Sequence, residues 1–575
     1  MSASNSTPES GGSRLASLAG ERFDVTVVGG GVIGAGVARD AALRGLSVAL
    51  FERRDYGSGT TSGSTRLIHG GLRYLEMLDF RLVRMDLRER ETLLRMAPHL
   101  VKPLEFVMPF YGRSLFHRAK IRIGMTLYDL LSYDKTLPRH RFLDAREVEQ
   151  LEPNLRRRGL QGAASYFDAQ VNSPERLCLE NIIDAAEHGA RTFNYAEVTG
   201  ALGATGGAIR GVRVRDLLGE GGAEVDIRSR VVVNASGAWF DRVAGVLTGA
   251  PAPALIRTTK GAHVACPPVT TRAVVLFSPV DGRLMFVIPW LGYSWIGTTD
   301  TDFTDDPSKV RADAADVDYM IRSAREYFPT LDAARIYFGN AGVRALVRED
   351  GSESSVSRMH RVADGARAGA ENLISVLGGK ITGYRAIAEE VTDAVCEKLK
   401  ARVSSSTARE PLPGARGGSA KVSNVSGANS QGEALENACD ASGSSGLGGD
   451  TVAHLLRLYG SRAWEVVRLA ASDESLRAPL SPHAPDLAAQ VVFAARAEQC
   501  ARLVDFLARR TLLGFSRDQG RGAATKAAAL LARELGWSSA RVDEELRLYQ
   551  EYVAAAQAFR DGTSESSSSR SAPPT

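Results

Sequence analysis

Three glycines, Gly29, Gly31 and Gly34, stand at G-x-G-x-x-G spacing in VTVVGGGVIGAGVARDAALRGLSVALFE, which runs from Val25 to Glu52. Residues of these types at this spacing bind the pyrophosphate of a dinucleotide. Gly29 permits a tight turn, Gly31 lets the backbone approach the phosphates, and Gly34 allows the following helix to pack closely on the sheet. The helix N-terminus then points free N–H groups at the anion, and Glu52, at the end of the second strand, accepts hydrogen bonds from a ribose.

The elements that must hold such a site are legible around it. From Phe23 to about Leu399, β-rich runs alternate with helical runs, as α/β architecture requires, with strand candidates at 47–51, 209–215, 230–234, 284–288, 293–297 and 373–377. Residues 21–401 read as the core. At about Arg402 the composition turns poor in apolar residues and rich in Ser and Gly, so 402–450 is expected to be a flexible insertion or linker. From 451 to 560 apolar residues recur at helical spacing in TVAHLLRLYG, AWEVVRLAA, DLAAQVVFAARAEQCARLVDFLARRTLL and VDEELRLYQEYVAAAQAF, a separate all-α C-terminal domain. Residues 1–20 and 561–575 read as disordered tails.

With 575 residues, the chain is too long for one core. Its 71 basic against 67 acidic residues leave a net charge of +4, with neither a sustained basic stripe nor a nucleic-acid-binding motif, so no nucleic-acid partner is expected. Five scattered cysteines without a CxxC pair argue against disulfide frameworks, zinc sites and iron–sulfur clusters. No metal site is expected, and a reducing, cytoplasmic setting is implied. Nowhere do about 18 apolar residues run together, so any membrane attachment is peripheral, on the cytoplasmic face of the inner or plasma membrane.

A second glycine-bearing signal, VVVNASGAW (Val231 to Trp239, with Ala235 and Gly237), resembles the returning strand that lines the ribityl and pyrophosphate in FAD oxidoreductases. Two separated signals favour FAD over NAD. Further along, TTSGSTRLIHGGLRYLE (Thr60 to Glu76), TKGAHV (Thr259 to Val264), GTTD (Gly297 to Asp300), GVRAL (Gly342 to Leu346) and SVLGGKITGYR (Ser375 to Arg385) closely resemble the FAD-dependent glycerol-3-phosphate dehydrogenases. ARAEQCARLVDFLARRTLLGF looks like that family's closing motif. The chain departs from the family's usual residues at Ala262, Ala345 and Gly383, positions that bear on loop geometry.

The resemblance implies a Rossmann-like FAD-binding core with an interleaved antiparallel-sheet substrate domain, and oxidation of sn-glycerol 3-phosphate to dihydroxyacetone phosphate with electrons passed to a quinone. It also implies cofactor contacts at Thr61, Ser62, His69, Gly70, Gly71, Ala235, Gly237, Gly378, Gly379 and Thr382, and it sets Tyr74, His263, Arg344, Arg358 and Lys380 around the substrate. The residue types agree with that chemistry. Alcohol oxidation on a phosphorylated substrate needs a cationic cradle, which Arg73, Arg344, Arg358 and Lys380 supply, and a group to take the hydroxyl proton. His263 is the better base candidate, Arg344 the alternative, and Lys380 completes the catalytic set. A flavin oxidase of glycerol 3-phosphate, 2-hydroxy acids or amino acids that uses oxygen is the alternative activity. Four separated cations argue against a carboxylate substrate.

Between Arg113 and Leu131, RSLFHRAKIRIGMTLYDLL interleaves basic with apolar residues, which suits a segment lying in a membrane interface or an amphipathic helix packed on its own core. The oligomeric state stays open, a homodimer included.

Overall fold

The computed structural model describes residues 14–112, 115–203, 207–219, 222–250, 254–348, 359–417 and 447–563. The strand Arg22–Val28 is built from alternating Val and Phe that are almost wholly buried, as a central parallel strand must be. It feeds the helix Val32–Leu43, which returns into the strand Val48–Phe51. Val25 pairs in parallel with both Val48 and Val231, and Val232 pairs with Leu373. The first sheet therefore runs Arg361–Asp364, Leu373–Leu377, Glu224–Asn234, Arg22–Val28, Val48–Phe51, Arg191–Phe193, with an antiparallel pair, Ala196–Gly203 and Ile209–Asp216, joined to its third strand. All the strand candidates read from the sequence are strands here, with ends shifted by a few residues. The helix Val32–Leu43 packs between the helices Pro174–Glu187 and Tyr384–Leu399, which covers one face of the sheet.

The chain leaves this sheet repeatedly to build a second, ten-stranded and largely antiparallel sheet. In it Ile256–Cys266 lies between Tyr293–Gly297 and Phe338–Val347, and Val101–Tyr111 pairs along its whole length with Leu160–Val171. This interleaving means that neither sheet is a contiguous piece of sequence.

The C-terminal domain is mainly helical, with helices Gly449–Tyr459, Ala463–Ser472, Ala488–Ala497, Arg521–Leu535 and Ser539–Ala555 around its own apolar core. Two details add to the helical reading of this domain. A small hairpin, Pro479–Ser481 with Ala484–Leu487, precedes the third helix. That helix also stops at Ala497, because Glu498 is buried against Arg176 and the carbonyls of Glu498 and Gln499 accept from the Arg510 guanidinium instead of continuing a helical ladder.

The boundary at 402 is also corrected. Residues 402–417 lie packed against the core through polar bonds that an apolar count overlooks. Ser405 Oγ donates to Asp40, Thr407 Oγ1 accepts from Arg385, the Leu412 N–H bonds the Met96 carbonyl, and Arg416 pairs with Asp184 and Glu187. Leu412 is wholly buried. The tail expected at 1–20 is ordered from Arg14, where Arg14–Leu18 forms a short 3-10 helix with Leu15 and Leu18 wholly buried. The rest of the expected linker up to residue 446, residues 1–13, and residues 564–575 of the tail expected at 561–575 lie outside the described residues.

Candidate functional site

A cavity of about 760 Å³ opens between the two sheets. Its wall begins at the glycine turn. Gly29 adopts φ +109°, a left-handed conformation that favours glycine, and a Cβ there would lie 2.7 Å from the Ala235 carbonyl oxygen. The two nucleotide signals seen in the sequence thus touch. Gly34 is needed for a different close approach, since a Cβ on it would sit 1.9 Å from the Gly29 carbonyl oxygen. The helix that follows starts at Gly31 with no side-chain cap, and Thr61 Oγ1 accepts the Val32 N–H at 3.1 Å. The Glu52 carboxylate accepts from the N–H groups of Gly30 (2.7 Å) and Arg54 (2.8 Å), and burial pushes its carboxyl above the usual range.

Of the residues named from the sequence, Gly29, Gly31, Glu52, Thr61, His69, Gly71, Tyr74, Ala235, Gly237, His263, Arg344, Gly378, Gly379, Lys380 and Thr382 all line this one cavity. Gly34, Ser62 and Gly70 stand behind the wall, Gly34 in the close helix packing expected of it. Ser62 donates to the Gly57 carbonyl, and Gly70 is packed under Leu87 with its N–H on Tyr128 Oη. Both support the segment Thr60–Gly71, which is fastened to the strand Phe338–Val347 by Thr60 Oγ1 on the Val343 carbonyl and Asn340 Nδ2 on the Ser62 carbonyl. Arg358 lies outside the described residues. So does the side chain of Arg73, although its backbone opens the short helix Arg73–Glu76.

The polar end of the cavity joins both sheets. Arg344, on Phe338–Val347, is fixed by Asp300 at 3.0 Å, by Thr298 Oγ1 at 2.8 Å and by the Lys260 and Thr299 carbonyls. Lys380 pairs with Asp86 and lies 4.2 Å over the Tyr74 ring. Burial pushes the Asp86 carboxyl up to about 6 against the pull of Lys380. The His69 N–H donates to Thr382 Oγ1, which ties the two glycine-rich motifs together. Asp86, Asp300 and Arg283, which also lines the cavity and donates to the Asp300 carbonyl, were not singled out as site residues. The GTTD motif contained Asp300. The Asp-Gly turn before Arg283 was a usable hairpin signal. Nothing near Asp86 in the sequence points to Lys380, 294 residues away.

His263 is buried, stacked on Trp295 with centroids 5.3 Å apart, and its Nε2 lies 3.0 Å from Thr65 Oγ1. Its Nδ1 has no hydrogen-bond partner among the described residues. Burial, then the neighbouring Arg344 and Arg66, hold its pKa down at about 3, so the ring is neutral through the physiological range. The ring is thus far less basic than an ordinary histidine, which titrates near neutrality. Between pH 3 and 6.5 the unfolded chain binds a proton that the folded ring refuses. The stability linked to His263 is therefore fully present above about 6.5 and is lost as the pH falls toward 3. Replacing His263 with Gln should flatten the melting temperature against pH across that window in calorimetry. An unchanged slope would contradict the burial of a neutral ring.

The donor set fits a dinucleotide. A helix start at a glycine without a side chain, two touching glycine turns and a half-buried acid offer the phosphate and ribose contacts, and the cavity has the size of a small-molecule site. With its two sheets, this site defines an FAD-dependent oxidoreductase. Residues 24–394 match the family described as "FAD dependent oxidoreductase", and 405–542 match "C-terminal domain of alpha-glycerophosphate oxidase". The glycerol-3-phosphate dehydrogenase of Synechocystis sp. is 39% identical over 92% of this chain and 96% of its own, and glycerol-3-phosphate dehydrogenase 2 of Mycobacterium tuberculosis is 39% identical over 94% and 89%. The crystal structure of the Bacillus halodurans glycerol-3-phosphate dehydrogenase complexed with FAD superposes with a TM-score of 0.74 at 27% identity, covering 94% of this chain and 96% of that one. The chain belongs to the FAD-dependent glycerol-3-phosphate dehydrogenase family.

Proposed function

We propose that the chain oxidises sn-glycerol 3-phosphate to dihydroxyacetone phosphate. The observation that carries this reading is the meeting of Arg344 and Lys380, from separate motifs, in the cavity that holds the flavin cradle. When bound, FAD supplies the two-electron acceptor for the hydrogen on carbon 2. Lys380 offers a point charge and Arg344 a planar fork, the two donor types suited to a phosphate and to an oxygen gaining negative charge. Arg358 is assigned to the same phosphate by resemblance, and Arg73 by its residue type and motif context. Asp86 and Asp300 hold the two cations in place before substrate arrives, which lowers the ordering cost of binding. His263 is assigned the hydroxyl proton. A neutral ring of low basicity suffices, because the hydroxyl becomes a much stronger acid than imidazolium as the hydride leaves its carbon. Arg344 steadies the oxygen meanwhile.

Anaerobic addition of sn-glycerol 3-phosphate to the purified protein should bleach the flavin absorption and yield one equivalent of dihydroxyacetone phosphate, whereas glycerol should do neither. Bleaching by glycerol and not by its phosphate would reject the assignment.

We assign a quinone as the physiological acceptor, at a membrane surface. Among the described residues no helix is long and apolar enough to cross a membrane. The helix Leu115–Leu131 buries Met125 and Tyr128 and turns Ile123 and Leu130 outward, each about two-thirds exposed, beside Arg122. Such a face suits an interfacial contact with anionic lipid. Ile123→Asp combined with Leu130→Asp should lower co-sedimentation with anionic vesicles at least tenfold while leaving turnover with a soluble dye acceptor unchanged. Equal co-sedimentation of the variant would remove this face from the reading. A second reading, oxygen as acceptor, is favoured by the description of the C-terminal match. Stoichiometric hydrogen peroxide with glycerol 3-phosphate would select it over quinone reduction.

A further inference from the structure

The closing motif ARAEQCARLVDFLARRTLLGF supplies no wall to the cavity, nor does any other described residue of 447–563. Yet it makes a buried contact with the cofactor side that joins two acids to two guanidiniums. The loop after Val48–Phe51 carries Glu52, whose carboxylate holds the Gly30 N–H, and Gly57, whose N–H returns to the Gly30 carbonyl at 3.0 Å. Between these two anchors sits Asp55, fully buried. Its carboxylate accepts from Arg509 Nε at 2.5 Å, Arg510 Nη1 at 2.6 Å, Arg510 Nη2 at 2.9 Å and Asn194 Nδ2 at 3.0 Å. The two guanidiniums hold Asp55 well below the usual carboxylate range despite its burial.

The arginines are themselves fixed. Arg509 also donates to Asp505 at 2.6 Å, which accepts from Tyr195 Oη at 2.6 Å, and Arg510 is held on the Glu498 carbonyl. Two carboxylates face two guanidiniums, so the cluster is close to neutral inside. Tyr56, next to Asp55, donates to Gln499 Oε1 at 2.9 Å and lies where a Cβ on Gly30 would meet it at 2.8 Å. A turn of π-helix, Phe506–Arg510, presents these consecutive arginines to the one acid, and single π-turns of this kind gather at functional positions.

We infer that Arg509 and Arg510 are positioning residues for the flavin, acting through Asp55 on the loop that sets Glu52 against the glycine turn. The helical domain then controls cofactor retention without touching the cofactor. This goes beyond the substrate assignment and does not depend on it. A plain staple between two domains would stabilise the fold alone. A clamp must couple flavin affinity to the motif, and the coupling must run in both directions.

The test reads flavin release from the holoenzyme by the rise in free-flavin fluorescence on dilution. Asp55→Asn and Arg510→Met should each release FAD at least tenfold faster than Leu531→Ala, which opens a cavity in the core of the same domain away from Asp55. Arg510→Lys should fall between wild type and Arg510→Met. Release no faster than from Leu531→Ala, at matched loss of melting temperature, overturns the inference. Hydrogen exchange on the wild-type protein gives an arm that needs no variant to fold. Removing FAD should speed exchange of amides in 52–57 and also in 498–511, more than in the helix Ala463–Ser472. Exchange in 498–511 that ignores the flavin overturns the inference equally, whatever substrate the enzyme proves to use.

Discussion

Arg344→Ala lowers kcat/KM for sn-glycerol 3-phosphate by at least two orders of magnitude, with flavin content close to wild type. A hundredfold loss corresponds to about 2.7 kcal/mol, the ordinary worth of one charged donor aimed at a reacting oxygen in a site screened from water. Arg344 is placed for such a role. It lies on the strand Phe338–Val347, paired along its length with Ile256–Cys266, is about four-fifths buried, and has its fork held by Asp300 and Thr298. It also crowds Gly261, where a Cβ would meet the guanidinium at 2.2 Å, so its position is set from both sides. Arg344→Lys keeps the charge but loses the fork, and recovers only part of the rate. Steady-state kinetics on flavin-replete protein measures both, with the melting temperature reported alongside because the alanine variant leaves Asp300 without this partner. Wild-type kinetics in Arg344→Ala would remove the residue from the site.

The second large effect separates two glycines that look alike in the fingerprint. At Gly31 a Cβ meets nothing closer than Thr61 Oγ1 at 3.6 Å, and the backbone there (φ −72°, ψ 175°) is open to any residue. Gly31→Val should therefore fold with a near-native melting profile and purify without flavin, because its methyl groups enter the space that the pyrophosphate needs. At Gly34 the added carbon strikes the Gly29 carbonyl oxygen, and even Gly34→Ala must move the turn itself. That variant should lose both flavin and fold, seen as insoluble protein or a collapsed melting transition. Full flavin occupancy in Gly31→Val would show that the phosphates approach elsewhere. A stable, yellow Gly34→Ala would show that the turn yields easily.

What the sequence revealed, and what it withheld, follows from range. The cradle was legible because its chemistry is local: Gly29, Gly31, Gly34 and Glu52 lie within one βαβ unit, and their spacing encodes the turn. Arg344 and Lys380 could be found through their glycine-rich motifs. Their acids could not be assigned in the same way, since Asp86 meets Lys380 only after the chain has built both sheets. Gly70 and Ser62 lie behind the cavity wall for a related reason, because a motif marks a segment and does not say which of its residues face inward. The segment 402–417 escaped because composition measures apolar burial, while Ser405, Thr407 and Arg416 are anchored by hydrogen bonds and ion pairs. The break at Glu498 was hidden too, since periodicity sees side chains and the break is made by backbone carbonyls turned toward Arg510.

The distance between Asp55 and Arg510, 455 positions along the chain, also has a meaning in time. At about 5–20 residues per second of synthesis, the glycine turn and its acid leave the ribosome roughly 20 to 90 seconds before the arginines that hold them exist. Through that interval a carboxylate destined for complete burial stays in water, and the motif Gly378–Thr382 that completes the cavity wall is still unmade for most of it. The nascent protein is thus a poor trap for flavin until its last domain is finished. A chain truncated by premature termination before residue 509 would then be released empty, which marks it for proteolysis rather than leaving a half-built oxidoreductase loaded with a redox-active cofactor.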